Sequence, residues 1–79
     1  MKNERERKIE AKVKVERLLS NQDFVDIIFT KIMKEDLHQL LMMEGSSDGA
    51  MKAVDACKFI SDRIYGIISE GTHAEESKR

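Results

Sequence analysis

The chain has 79 residues, of which 37% are charged and 41% hydrophobic, and its net charge is −1. This composition excludes a wholly disordered chain, and the near-neutral charge argues against bulk electrostatic attraction to nucleic acid or membrane. No apolar run approaches the about 20 residues that span a bilayer, no secretory signal is visible, and a single cysteine cannot form an internal disulfide. We therefore expect one domain over residues 1–79, made in a reducing, intracellular setting.

Residues 1–17 form a charge-rich segment that we predict to be an N-terminal helix, frayed at its start. Its Glu, Lys, Arg and Ala residues favour helix, and Ala11, Val15 and Leu18 recur at helical spacing. Residues 9–15 also alternate apolar and charged side chains, which is the period of a strand. A strand at a sheet edge is therefore the alternative for this stretch.

The cations of this first segment are interleaved with glutamates, which disfavours a continuous phosphate-binding strip. We expect a helix that is solvated or lines an oligomer. The alternative is contact with nucleic-acid phosphates through five basic residues: Arg5, Arg7, Lys8, Lys12 and Lys14.

A helical hairpin core is predicted over residues 18–71, and its first helix follows a turn at which Ser20 or Asn21 can act as cap. On an α-helical wheel the first half of this helix, up to Ile32, presents one apolar face, whereas the second half, from Met33, presents a nearly opposite face. A straight helix buried on one side does not do this. We expect either a bend or break at residues 34–36, or two halves buried against different partners.

The last helix carries the most regular apolar stripe of the chain, from Ala50 to Ile68. Gly45 is placed to end the helix before it, and one of the residues 46–48 is placed to cap it. We expect Gly71 to end it and residues 72–79 to form a flexible tail.

The predicted fold class is all-α: a helical hairpin with an additional charged N-terminal helix, forming a three-helix unit. Two helices cannot surround their own apolar stripes, so we expect the unit to be oligomeric or to dock on a larger protein. Membrane partners are not expected.

The sequence contains no recognisable catalytic, cofactor-binding or metal-binding constellation. His38, Cys57 and His73 are the conventional soft-metal ligands, but they lack the tight local spacing of a zinc site. We expect a solvated His38 and a buried structural thiol at Cys57. Because no nucleophile and base stand in a recognisable arrangement, we expect a protein without enzymatic activity, cofactor or metal.

Phe59 does not fit the amphipathic pattern of its helix, because it lies opposite the apolar stripe among charged residues. An aromatic side chain in that place predicts an interface anchor, with Arg63 as its companion one turn later. The alternative is that Phe59 packs under the first helix of its own chain. The other predicted interface residues lie on the second helix: Leu37, Leu40 and Leu41.

The order of these signals resembles that of a known family. The charged start leads to a short motif, Leu18-Leu19-x-Asn21-x-x-Phe24. The last helix carries a longer one, Ala53-x-x-Ala56-x-x-Phe59-Ile60-x-x-x-Ile64-x-x-Ile67-Ile68-x-x-Gly71, with Ala74 after it. Over residues 15–75 this pattern is similar to the small all-helical proteins encoded among the head and packaging genes of tailed bacteriophages.

The resemblance implies a structural or assembly role in the phage virion, and it carries over no catalytic residue. The implied location is the host cytoplasm during assembly, with retention in the virion left open. The alternative function is that of a DNA-packaging accessory or small regulator that contacts nucleic acid through residues 5–17.

Overall fold

A computed structural model describes residues 2–77, and all regular structure in that range is helical. Helix α1 comprises Glu4–Leu19, α2 runs without interruption over residues 22–44, and α3 comprises Asp48–Glu76. The prediction of an all-α chain with three helices is confirmed. Residues 9–15 lie within α1, so the strand alternative for them is wrong.

Each helix begins at a side chain that caps its first free N–H groups. Asn3 Oδ1 accepts from the backbone N–H of Glu6 at 2.8 Å, which starts α1. Asn21 caps α2 and Ser47 caps α3, each accepting a backbone N–H at 3.2 Å. Gly45 ends α2 with a φ of 63°, a conformation that favours glycine. The predicted stop at Gly45 and a cap within residues 46–48 are confirmed.

Helix α2 neither breaks nor follows a single α-helical register. Its ends, Gln22–Phe24 and Leu37–Glu44, are α-helical, whereas Val25–Asp36 is π-helical. At the end of the π segment the N–H of Leu37 donates to the carbonyl oxygen of Ile32, five residues earlier. Because a π turn holds more residues than the 3.6 of an α turn, it changes which side chains share a face.

The π segment brings the two apolar halves of α2 onto one side. The half-buried positions of α2 include a series spaced by four or five residues, Phe24, Ile28, Met33, Leu37 and Leu41, with Val25, Phe29 and Leu40 beside them. A pure α-helix would place these residues on different faces. The helix is continuous through residues 34–36, so the expected break there is wrong, and the longer turn changes the register within the helix.

The main helix–helix contact joins α1 and α3, whereas α2 touches α3 through Leu37–Glu44 near the connecting turn. Arg5 reaches the C-terminal end of α3 and Lys12 lies against Gly71, further back along it, so α1 and α3 are antiparallel. The hairpin of α2 and α3 was predicted to be the core, with α1 as an addition. Instead, α1 and α3 form the main packing contact, because small residues on the last turns of α3 let α1 approach closely.

The prediction that α3 ends at Gly71 is wrong, because the helix continues to Glu76. Gly71 is buried, and a Cβ atom at this position would lie 2.9 Å from the carbonyl oxygen of Lys8 and closer still to the Cβ of Lys12. This glycine therefore serves the close approach of two helices. Residues 72–76 of the predicted tail are helical, while residues 78 and 79 lie outside the described part of the chain.

The molecule is elongated, measuring 52 × 26 × 21 Å. Its radius of gyration is 16.1 Å, against about 12 Å for a compact domain of this length. In the range from residue 2 to residue 77, none of the helices combines the length and apolar character needed to cross a membrane.

Candidate protein-interaction surface

Within residues 2–77 no large apolar side chain is fully buried, although many are half-buried. The buried hydrophobic residues of this range are Ala50 and Ala74. Ten large hydrophobic residues are exposed instead: Val13, Leu18, Ile27, Ile32, Met42, Met43, Met51, Phe59, Ile60 and Tyr65. Scattered exposed apolar residues are ordinary on a protein surface, but ten of them in a small chain that fully buries no large side chain within residues 2–77 are not.

The accessible surface gives the size of the deficit. The chain exposes 6236 Å², whereas a folded monomer of 9.1 kDa is expected to expose about 4,900 Å². The excess is about 1,300 Å², which is more than the roughly 800 Å² that each partner contributes to a standard protein–protein interface. A single chain therefore carries enough uncovered surface for one substantial interface.

Part of this surface is an apolar cleft of about 190 Å³ between α2 and the first half of α3. Leu37 and Leu40, both predicted interface residues, line it together with Ile32 on the α2 side, and Ala53 and Cys57 line it on the α3 side. Leu41, the third predicted residue of α2, is half-buried but is not among the lining residues.

Asp36 is the charged residue at this cleft, and it is already paired within α2. Its Oδ1 accepts a hydrogen bond from Lys31 Nζ at 2.6 Å. This hydrogen bond is the main cause of a raised pKa at Lys31, and the negative charge of Asp36 raises it further. Desolvation lowers the pKa, and the charge of Glu35 makes the smallest contribution to raising it. The charge at the cleft is thus compensated locally, and the remaining lining is apolar.

Phe59 is 65% exposed, so α1 does not cover it and the alternative of intrachain packing is wrong. The predicted companion points elsewhere: Arg63 Nη1 lies 3.2 Å from Glu70 Oε2 and passes over Gly66. Phe59 is therefore an exposed aromatic without its expected cation, and its role as an interface anchor stays a prediction.

Three of the five basic residues proposed for nucleic-acid contact are engaged within the chain. Arg5 Nε donates to the carbonyl oxygens of Ala74 and Ser77 at 2.9 and 3.0 Å, and Lys8 Nζ lies 3.3 Å from Glu4 Oε1. Lys12 lies 2.6 Å from Glu75. The contacts of Arg5 and Lys12 tie the N-terminal helix to the end of α3, whereas the Lys8–Glu4 pair lies within α1.

The two other basic residues, Arg7 and Lys14, are exposed. Neither forms an ion pair within the described residues. Lys14 lines a shallow cleft with Arg17, Leu18 and Asn21. The surface that stays open on α1 is thus a mixture of cations and apolar side chains and lacks a continuous row of cations.

Lys12 is the most protected charge of α1, with a side chain that is 14% exposed. The hydrogen bond to Glu75 raises its pKa above the ordinary 10.5, and the charges of Glu75, Glu16 and Glu76 act in the same direction, against desolvation that lowers it. The stem of Lys12 packs against Gly71 while its ammonium group reaches Glu75. Lys12 therefore contributes to the α1–α3 contact.

The candidate metal ligands are not brought together. His38 and His73 are exposed, and Cys57 is half-buried rather than fully buried as expected. Cys57 stays partly accessible because the cleft between α2 and α3 is open beside it. Within residues 2–77 no three His, Cys, Asp or Glu side chains are grouped so that they could hold a metal ion.

Sequence reasoning missed two residues of this surface, Ile32 and Ile60, both 45% exposed. Ile60 follows Ala53 and Cys57 at the spacing i, i+4, i+7, so it extends the α3 side of the cleft. The apolar stripe of α3 contained this signal, but we assigned the whole stripe to the core.

Comparisons with protein-family models, curated proteins and solved structures found no match to this chain.

Proposed function

We propose that this chain is a protein-interaction module that acts by burying helix faces against another protein surface, without carrying out chemistry. One observation supports this most directly: within residues 2–77 no large apolar side chain is fully buried, and ten of them are exposed. Apolar burial is the dominant favourable term in both folding and association. A chain that obtains little of it internally gains it by binding a protein.

The same proposal places the module in the assembly of a tailed-phage particle, in the host cytoplasm. Its support is the resemblance of residues 15–75 to small helical head and packaging proteins. The partner is then another copy or a larger virion protein. Finding the chain in purified particles, or bound to head precursors in extracts of the phage that encodes it, tests this part.

Contact with nucleic acid through residues 5–17 has weaker support. Arg5 and Lys12 are held against α3 by their contacts with its last turns. Releasing them to reach phosphates would cost part of the α1–α3 contact. Among the cations proposed for that role, Arg7 and Lys14 keep their side chains available.

A dye-binding experiment on the purified chain tests the interaction module. The chain is diluted to a concentration at which its mass is that of a monomer, and binding of 1-anilinonaphthalene-8-sulfonate is measured beside a thermal melt. We expect dye fluorescence to rise and the melt to be broad, because apolar faces are then open to solvent. A monomer that melts sharply and binds no dye would refute the proposal.

A further inference from the structure

The apolar stripe of α3 is longer than the helix that packs on it. Buried or half-buried residues recur every seven positions at Ala50, Cys57, Ile64 and Gly71, the repeat of a helix that packs along a seam. The 16 residues of α1 span about 24 Å, against about 44 Å for the 29 residues of α3. Since α1 begins at the C-terminal end of α3, the seam around Ala50 and Cys57 lies beyond its reach.

Within a single chain the first half of this seam meets α2 only in part. The cleft stands open between them, with Ile32 and Leu40 on one wall and Ala53 and Cys57 on the other. Ala53 and Cys57 are small, so their wall admits the close approach of another helix. Ile60, on the same stripe, stands 45% exposed at the end of that wall.

We infer that a second copy of this chain occupies the cleft, so that the α2–α3 pairs of two copies form a four-helix core about a twofold axis. This inference rests on the proposed function and names its partner. In a twofold interface the same patch serves on both sides, and here the α3 stripe of one copy enters the cleft of the other. Helix pairs of this kind form the cores of four-helix bundles.

The uncovered area fits this occupant. Removing the excess of about 1,300 Å² from each of two copies buries about 2,600 Å² in total, which lies in the range of permanent homodimers. A net charge of −1 per chain sets up little repulsion between copies. The charge lining the cleft belongs to Asp36, which Lys31 already neutralises.

The position of Phe59 supplies a matched control. Phe59 and Ile60 are adjacent in sequence and both exposed. Phe59, however, lies about 200° from Cys57 around the helix, whereas Ile60 lies about 60° from it. A charge at Ile60 therefore enters the proposed interface and a charge at Phe59 does not, so this inference replaces the prediction that Phe59 anchors the interface.

Sedimentation equilibrium of the full chain tests the inference with Ile60→Glu and Phe59→Glu beside the native protein. The native chain is expected at twice 9.1 kDa. Ile60→Glu is expected to raise the dimer dissociation constant by about 30-fold or more, because it buries an unpaired charge in the interface. Phe59→Glu is expected to change it by less than about 3-fold, with unchanged helicity by circular dichroism.

The thiol of Cys57 gives a second measurement that does not depend on a variant folding. The dimer covers Cys57, so its alkylation by iodoacetamide in the native chain is expected to slow as the protein concentration rises through the dissociation constant. An alkylation rate independent of concentration overturns the inference. So does an assembly larger than two chains.

Two further outcomes separate this inference from the proposed function. An oligomer that Phe59→Glu dissociates and Ile60→Glu leaves intact overturns the cleft as the interface, while burial of a helix face stands. A folded monomer at all concentrations overturns the inference that a second copy occupies the cleft. If that monomer binds the dye, the proposed function survives with another protein as partner, and if it binds none, both fail.

Discussion

Gly71 determines how closely α1 and α3 approach each other. The sequence marks it as a helix terminator, since glycine often ends helices, but its backbone is helical and it has no positive φ. What decides its role is the absence of a Cβ beside Lys8 and Lys12. A contact across helices that lie some 60 residues apart in sequence has no local signature, so the sequence alone could not predict this role.

We expect Gly71→Ala to destabilise the chain by about 1–3 kcal/mol, because the added methyl group overpacks the helix contact. The gain in helix propensity, about 1 kcal/mol, offsets this only in part. Gly66→Ala is the matched control, since its Cβ would meet the movable guanidinium of Arg63 at 3.1 Å, and it is expected to be neutral or slightly stabilising. Urea unfolding of both variants measures the difference. Equal midpoints would contradict the close approach at Gly71.

Lys12 links the same contact to pH. Its raised pKa in the folded chain means that the pair with Glu75 stabilises the fold below the unfolded-state pKa, and that this stabilisation is lost as pH rises through the folded-state value. We expect the native melting temperature to fall between about pH 10 and 12 by more than that of Lys12→Met. Lys14→Met replaces an exposed lysine, so its melting temperature should fall over this pH range by as much as that of the native chain. An identical alkaline loss in Lys12→Met would argue against the Lys12–Glu75 pair.

At the scale of elements, the sequence predicts the helices far better than their packing. Caps at Asn21 and Ser47 and the stop at Gly45 follow from short-range rules and are confirmed. The conflict between the two faces of α2 was visible on the wheel, yet a π-helical turn was not considered, because such turns are rare. The apolar pattern also did not show which helix packs on α3, since α1 and α2 both carry apolar residues.

The register of α2 is testable at Lys31. In the π segment its partner is five residues ahead, at Asp36, whereas an α-helix would pair it with Glu35 at i+4. We expect Asp36→Asn to lower the pKa of Lys31 clearly and Glu35→Gln to change it little. An NMR titration of the Lys31 side chain follows both variants. The reverse order of effects would show that α2 is α-helical there.

At the scale of the whole molecule, the expectation of a partner came from counting helices, and the structure adds the surface on which that partner is proposed to bind. Ile32 and Cys57 line the cleft and Ile60 is exposed on the same stripe as Cys57, whereas sequence reasoning did not place these three residues at an interface. The sequence alone cannot separate the two cases, because an apolar stripe has the same pattern whether it packs against its own chain or against another molecule. Only the three-dimensional arrangement shows that α1 is too short to cover α3.

The central claim is that this fold completes its apolar burial between two copies of the chain. The most direct test is urea unfolding of the native chain, followed by circular dichroism over a 100-fold range of protein concentration. Because association stabilises the folded state by mass action, the account predicts a midpoint that rises steadily with concentration. A midpoint that stays constant across the whole range, with a sharp transition, would contradict it.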